Sequence, residues 1–280
     1  MSPFFTIITS TYNAAATLPR LLDSLASQTC RDFNWIVQDG ASSDATMQIV
    51  EQYRNHLPEI LADSSKDSGI YDAWNKAIDC WQDKIGEWIL FLGADDTLLS
   101  HDTLATVKEK IITLKKHVIL AAGNAIVVDD FGNIINKNII EDKKSRFFQK
   151  NFKMPICHSS LFTRKDIILK YKFDESFKIV GDHDFLIKVW KHCDQLETVN
   201  ILVTKMGFGG ISSDSNYKKL FIKEELKICI KTKSFRGFIF AFDSMIYKYK
   251  ISAKKYITKT KIGSAFWRVL QKLHSRILPK

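Results

Sequence analysis

Phe4-Phe5-Thr6-Ile7-Ile8-Thr9-Ser10-Thr11-Tyr12-Asn13 is the stretch on which the fold turns. An apolar, β-rich run stops in a polar cluster, and Leu18, Leu21, Leu22 and Leu25 then recur at helical spacing: strand, loop, helix. The pattern repeats. Phe33 to Gln38 runs into Asp39-Gly40-Ala41-Ser42-Ser43-Asp44, and a helix holding Met47, Ile49, Val50 and Tyr53 follows. A third strand around Ile60-Leu61 leads to Asp67-Ser68-Gly69 and a helix from Ile70 to Trp81. A fourth, Trp88 to Leu92, stops at Gly93-Ala94-Asp95-Asp96-Thr97, ahead of a helix from Thr103 to Leu114. This alternation predicts an α/β fold of βαβ units, with a mainly parallel central sheet flanked by helices.

Every polar cluster follows the carboxyl end of a strand, the edge at which open α/β sheets bind ligands. Asp-Gly and Ser-x-x-Asp also mark turns and helix caps, which accounts for part of these residues. Four such clusters on one edge, two of them acidic, go beyond what capping needs.

After Leu114 the style changes. Val118 to Val128 and Ile134 to Ile140 read as a β-hairpin around Asp129-Asp130-Phe131-Gly132-Asn133. A strand from Ile156 to Phe162, a short helix from Lys165, a helix from Asp182 to Lys191 and a strand from Leu196 to Val203 follow, with Gly207 to Ser212 as a mobile loop. The second half is therefore expected to be mixed α/β, then helical.

The 280 residues, 45% of them hydrophobic, suffice for one substantial core. The balance of 41 Lys+Arg against 31 Asp+Glu gives a net charge of +10 and predicts an anionic partner surface. The excess lies in the tail, where Asp243 is the only acidic side chain from Leu226 onward. There Phe235, Phe238, Ile239, Phe240, Phe242, Ile246, Tyr247 and Tyr249 interleave with Lys and Arg. Such a segment suits a basic amphipathic helix on an anionic bilayer, or a helix packed on the core with a solvated basic face. No recognised nucleic-acid module accompanies it, and no nucleic-acid partner is expected. Five scattered cysteines with no C-x-x-C pair read as reduced thiols. The N-terminus lacks the features of a signal peptide, and no window nears the roughly 18 apolar residues of a spanning helix. A cytoplasmic protein, peripheral on the inner membrane, is expected.

Adjacent carboxylates at Asp95 and Asp96 repel unless a cation or hydrogen bonds offset them, and such oxygen ligands suit Mg²⁺ or Mn²⁺ carrying a diphosphate. Asp39 with Gly40, and Asp67 with Gly69, can set carboxylates against a nucleotide where glycine lets the backbone come close. Asp182 opens a helix, either as its N-cap or as a general base. His158, a core histidine or a ligand, joins Asp95 and Asp96 as a metal candidate. There is no Walker A loop and no G-x-S-x-G elbow, and Asp130-Phe131-Gly132 lacks the rest of a kinase signature.

Together these residues resemble family 2 glycosyltransferases of the GT-A fold, of the bacterial type that builds O-antigen, capsule or exopolysaccharide. The likeness runs from Phe4 to Ser213. Ile7 to Asn13 is similar to the family's first strand and nucleotide loop, which implies donor contacts from Thr9, Thr11, Tyr12 and Asn13. Asp39 to Thr46 is similar to its D-G-S-S-D-G-T segment, and Asp67 to Ala77 to its D-x-G-I-Y-D-A-M-N-K-G segment. These imply contacts from Asp39, Gly40, Asp67, Gly69, Asn75 and Lys76. The family's D-x-D metal motif has Gly93 at its first position here, leaving Ala94, Asp95 and Asp96. Cys157-His158-Ser159-Ser160 resembles an acceptor-side segment. Gly181-Asp182-His183-Asp184-Phe185 resembles A-D-Y-D-L, making Asp182 the favoured base with Asp184 supporting it, and Gly209-Gly210-Ile211-Ser212 resembles a loop over the donor.

The resemblance implies residues 1–215 as a GT-A domain and 216–280 as a helical, basic, membrane-associating extension. It implies an inverting transfer of a hexose or N-acetylhexosamine from a UDP-sugar, with Mn²⁺ or Mg²⁺, to a lipid-linked saccharide acceptor such as an undecaprenyl-pyrophosphate glycan. The rival readings are a sugar nucleotidyltransferase, disfavoured by the missing triphosphate loop, and a non-catalytic nucleotide-sugar or membrane binder.

Overall fold

A computed structural model of the chain describes residues 2–129, 132–138, 156–189, 196–207 and 215–232. The chain divides into two compact units, 1–142 with 155–213 and 143–154 with 214–280. In the first unit, β1 (Phe5–Thr11), β2 (Phe33–Asp39), β3 (Ile60–Ser64) and β4 (Trp88–Phe91) lie parallel in the order β3-β2-β1-β4. Helices α1 (Leu18–Ala26), α2 (Thr46–Gln52) and α3 (Ile70–Trp81) form the crossovers. Strands covered on both faces need apolar side chains in both directions, which is why Phe5, Ile7 and Ile8 run without alternation. Leu18, Leu21, Leu22 and Leu25 bury one stripe of α1 against that sheet, each contributing roughly 1.5–3 kcal/mol.

Beyond β4 the sheet turns mixed. After β5 (Thr97–Leu98) and α4 (Thr103–Ile112) come β6 (Leu120–Val128), β7 (Ile134–Asn138), β8 (Leu161–Arg164), α5 (Lys165–Tyr171), α6 (Gly181–Val189) and β9 (Leu196–Gly207). The order continues β4-β8-β6-β9-β5, with β7 also on β6. β8 is antiparallel to both β4 and β6, whereas β6 and β9 are parallel. The predicted hairpin is present as β6 and β7.

The strand expected from Ile156 is instead a 3₁₀ turn, His158–Ser160, with β8 beginning only at Leu161. Two serines explain the difference. Ser160 donates to the carbonyls of Gly123 (2.9 Å) and Cys157 (3.0 Å), and Ser159 meets the Thr204 hydroxyl at 3.1 Å, bonds that compete with a strand ladder. β9 runs on to Gly207, past the expected end at Val203, because β6 and β5 both pair with its last residues.

In the second unit, α7 (Lys218–Lys231) buries Ile222, Ile228 and Cys229. The aromatic, basic stretch from Phe235 onward and the Gly209 to Ser212 loop lie outside the described residues. Among the described residues no helix is long and apolar enough to cross a membrane.

Candidate active site

Parallel register builds the first part of the site. Thr11 pairs with Asp39, and Asp39 with Ser64, so three polar side chains line up at the ends of β1, β2 and β3. The Asp39 carboxylate accepts the hydroxyls of Thr11 (2.8 Å), Ser42 (2.5 Å) and Ser64 (2.7 Å) and the N–H of Ser42 (2.8 Å). Burial opposes its charge, but these bonds outweigh burial and hold the carboxyl below its ordinary value. Four donors fill the acceptor sites of a carboxylate, so Asp39 organises the loop in this state. Thr9 is also internal, accepting the Trp35 indole N–H at 3.0 Å. Asn13, left-handed at φ 49°, ties two loops: its N–H donates to Ser42 Oγ (2.8 Å) and its Oδ1 accepts the N–H of Ser43 (2.9 Å).

The open surface lies beside this frame. Tyr12 is 69% exposed. A Cβ on Gly40 would stand 2.7 Å from Asp67 Oδ2 and 3.4 Å from the Tyr12 ring, so the bare backbone of Gly40 separates an aromatic face from a half-buried carboxylate. Asp67 accepts the N–H of Gly69 at 2.9 Å, and Gly69, at φ 134° and ψ 176°, occupies backbone space that is essentially closed to other residues. An aromatic ring, bare backbone and a carboxylate side by side offer a stacking face, close approach and a hydrogen-bond acceptor.

The second part forms where β4 ends. β5 pairs Thr97 with Lys205 of β9, which draws Gly207 over the acid pair. A Cβ on Gly207 would meet Asp95 Oδ2 at 3.0 Å, and one on Gly93 would meet Asp95 Oδ1 at 2.8 Å and Asp96 Oδ2 at 3.2 Å. The two glycines thus leave room for two carboxylates, and Gly93 stands where the family motif has its first Asp. Asp96 accepts the N–H of Gly93 at 2.9 Å. Burial, together with the charge of Asp95, nevertheless raises its carboxyl to about 7. Asp95 itself is half-buried, as is Ala94. Two clashing carboxylates, one open to the cleft, fit a hard divalent cation that takes its other ligands from phosphate and water. Among the described residues no third His, Cys, Asp or Glu joins them.

The third part comes from the second half of the chain. Asp182, in the first turn of α6, accepts the N–H of His183 (2.9 Å) and the hydroxyl of Tyr71 (3.2 Å). Cys157 sits between the two acidic centres: burial first, then the charges of Asp96 and Asp182, pushes its thiol up to about 12. It is therefore an unreactive thiol.

Several nominated residues have other roles. His158 lies in an aromatic box, its ring centroid 5.2 Å from both Trp74 and Phe91 and 5.8 Å from Phe173. Burial lowers its pKa against the pull of Asp182, so the ring is neutral, and neither ring nitrogen has a hydrogen-bond partner among the described residues. Asn75 is buried and clamps a distant loop, donating to Phe173 O (2.9 Å) and Glu175 Oε1 (2.8 Å) and accepting the Phe173 N–H (3.0 Å). Lys76 donates to Lys66 O at 2.6 Å and pairs with Asp72 at 3.4 Å. Asp184 is buried and ion-paired to Lys188 at 2.7 Å, one helical turn on. Tyr71 is not among the nominated residues, although it stands at the tyrosine of the D-x-G-I-Y segment, one position into the helix behind Asp67-Ser68-Gly69.

A cavity of about 350 Å³ lies at the opposite edge, by the starts of β1 and β4, lined by Phe4, Asp32, Glu87 and Lys165 among others. None of the motif residues reaches it.

Carboxylate-bearing loops at the ends of a largely parallel sheet that continues into a mixed second half are the architecture of a glycosyltransferase of the GT-A type. The chain belongs to Glycosyl transferase family 2, whose sequence profile matches residues 6–171. It is 32% identical over 218 residues to a PGL/p-HBAD biosynthesis glycosyltransferase of Mycobacterium bovis, covering 76% of this chain and 80% of that one. In three dimensions it is similar to residues 1–349 of TarS from S. aureus in complex with UDP-GlcNAc. The TM-score there is 0.64 at 21% identity, over 82% of this chain and 66% of TarS 1–349. It is also similar to the mannosyltransferase PcManGT of Pyrobaculum calidifontis, in complex with GDP-Man and Mn²⁺, with a TM-score of 0.62 at 18% identity over 98% of this chain and 81% of that one.

Proposed function

We propose that this glycosyltransferase moves a hexose or N-acetylhexosamine from a UDP-sugar, with inversion, to a hydroxyl of a lipid-linked saccharide in surface-polysaccharide synthesis. Support comes chiefly from Tyr12, Gly40, Asp67 and the Asp95-Asp96 pair sharing one sheet edge while Asp182 arrives from a separate helix. That separation suits a single displacement, in which donor and base stand on opposite faces of the reacting carbon.

In this reading Tyr12, Gly40 and Asp67 take the base and ribose, and Asp95 with Asp96 holds Mn²⁺ or Mg²⁺. Such a cation, held by Asp95 and Asp96, would supply positive charge to a departing diphosphate. Asp182 accepts the proton from the attacking acceptor hydroxyl, and general-base assistance contributes roughly 10²–10⁴-fold. Asp39 and Asn13 keep the nucleotide loop in shape, so they act through its backbone. The basic aromatic tail holds the enzyme at the inner face of the cytoplasmic membrane, where lipid-linked acceptors reside.

Thermal denaturation with UDP, GDP and dTDP, each with and without Mn²⁺, tests the donor assignment. A nucleotide at one hundred times its Kd adds about 2.7 kcal/mol. Stabilisation by UDP that needs Mn²⁺ and disappears in Asp95→Ala is the expected result; stabilisation by GDP alone, or by none of the three, overturns it.

A further inference from the structure

Asp182 does not hold its own position. It lies in the first turn of α6, and Tyr71, 111 residues earlier in the chain, bonds to it. The Tyr71 hydroxyl donates to the carbonyl of Ile179 at 2.7 Å and lies 3.2 Å from Asp182 Oδ1, so one proton is shared between the residue that leads into the helix and the carboxylate within it. The ring is locked as well. It stacks on Phe173 (centroids 5.7 Å apart, 26° between planes) and meets Trp74 edge-on at 5.5 Å. Gly181 rests directly on it, since a Cβ there would lie 2.7 Å from the ring carbons. Burial, with the charge of Asp182, keeps the phenol well above its ordinary pKa and hence neutral, a donor at every working pH.

The turn of α3 that carries Tyr71 begins on the donor side of the proposed site. Asp67 bonds the N–H of Gly69, and Gly69 precedes the first residue of α3; Lys178, from the loop leading to α6, reaches back to the carbonyl of Ser68. One turn of α3 therefore joins a carboxylate of the nucleotide cleft to the carboxylate facing the acceptor.

We propose that Tyr71 is the positioning residue of the transfer reaction: through its hydroxyl it sets the direction of the Asp182 carboxylate relative to a donor bound beside Asp67. This rests on Asp182 being the base.

Tyr71→Phe keeps the ring and removes the hydroxyl. Turnover is read as UDP released from whichever UDP-hexose or UDP-N-acetylhexosamine stabilises the protein most, with octyl glucoside as acceptor. The expected result is a fall in kcat of about tenfold or more, with the donor KM within twofold and UDP-dependent stabilisation retained. In an Asp182→Asn background the same change should cost nothing further, because a residue acting through Asp182 has nothing left to position. Wild-type kcat in Tyr71→Phe, or an equal proportional loss in both backgrounds, overturns the proposal. Should Tyr71→Phe fail to fold, 4-fluorophenylalanine at position 71 fills the space of the hydroxyl without a donor; an unchanged kcat there overturns it too. An active Asp182→Asn removes the base assignment itself and this inference with it, an outcome distinct from failure of Tyr71 alone.

Discussion

The edge formed by β1 to β4 and the segment from the 3₁₀ turn to α6, which the proposed function makes the donor side and the base side, are built in opposite ways. On the first, each polar cluster directly follows its own strand, and parallel register aligns Thr11, Asp39 and Ser64. On the second, distant partners add to the local bonds: the turn at His158 is anchored by Gly123 and Thr204, and Asp182 is bonded by Tyr71. A nucleotide site can be assembled from neighbours in sequence, whereas the base must be brought in from far along the chain.

Asp182→Asn tests this division most severely. Transfer should fall by about 10²–10⁴-fold while Mn²⁺-dependent UDP stabilisation persists, measured as initial rates beside thermal shift. Gly93→Asp is next. It restores the usual family motif on paper, yet the new Cβ would stand 2.8 Å from Asp95 Oδ1, so metal-dependent nucleotide binding should weaken in titrations with Mn²⁺ rather than improve.

A third probe concerns pH. Asp96 has a folded-state value near 7 against an ordinary 3.8, so the folded protein binds the extra proton between them and the metal-free enzyme should lose stability as pH rises through that window. Urea unfolding in EDTA at several pH values should show this slope, and Asp96→Asn should flatten it. Asn75→Ala removes the bonds to both the N–H and the carbonyl of Phe173 and leaves that backbone unsatisfied, which should cost about 1–3 kcal/mol by urea unfolding. The smallest effect is expected at Ala41, held at φ 63°. Ala41→Gly should relieve left-handed strain and raise stability by up to about 1 kcal/mol, since the entropy of glycine takes back part of the gain.

What the sequence disclosed follows the same division. Apolar runs and leucine spacing gave β1 to β4, their helices and the polar edge, because hydrophobic periodicity is a local signal. The sequence also marked Asp95, Asp96 and Asp182, but not how each nominated side chain is used. Thr9, Asp39 and Asn75 carry motif identities, yet in the structure their polar atoms meet Trp35, the serine loop and Phe173. A motif shows that a residue type is required at a position; whether it faces a ligand or the frame depends on register and on long-range partners. The strand expected at Ile156 failed for that reason, since the serines that bend it bond to β6 and β9.

The clamp from α3 to the loop before α6 also bears on biogenesis. Its partners are separated by 98 to 111 residues, whereas β1 to β4 are complete by Phe91. At ribosomal speeds of about 5–20 residues per second, several seconds pass between the emergence of Tyr71 and that of Phe173. During that interval Trp74 can already pack on Phe91, but Tyr71 and Asn75 wait without the loop that will seat them. Synonymous codon changes that slow translation between residues 92 and 172 should lengthen that wait.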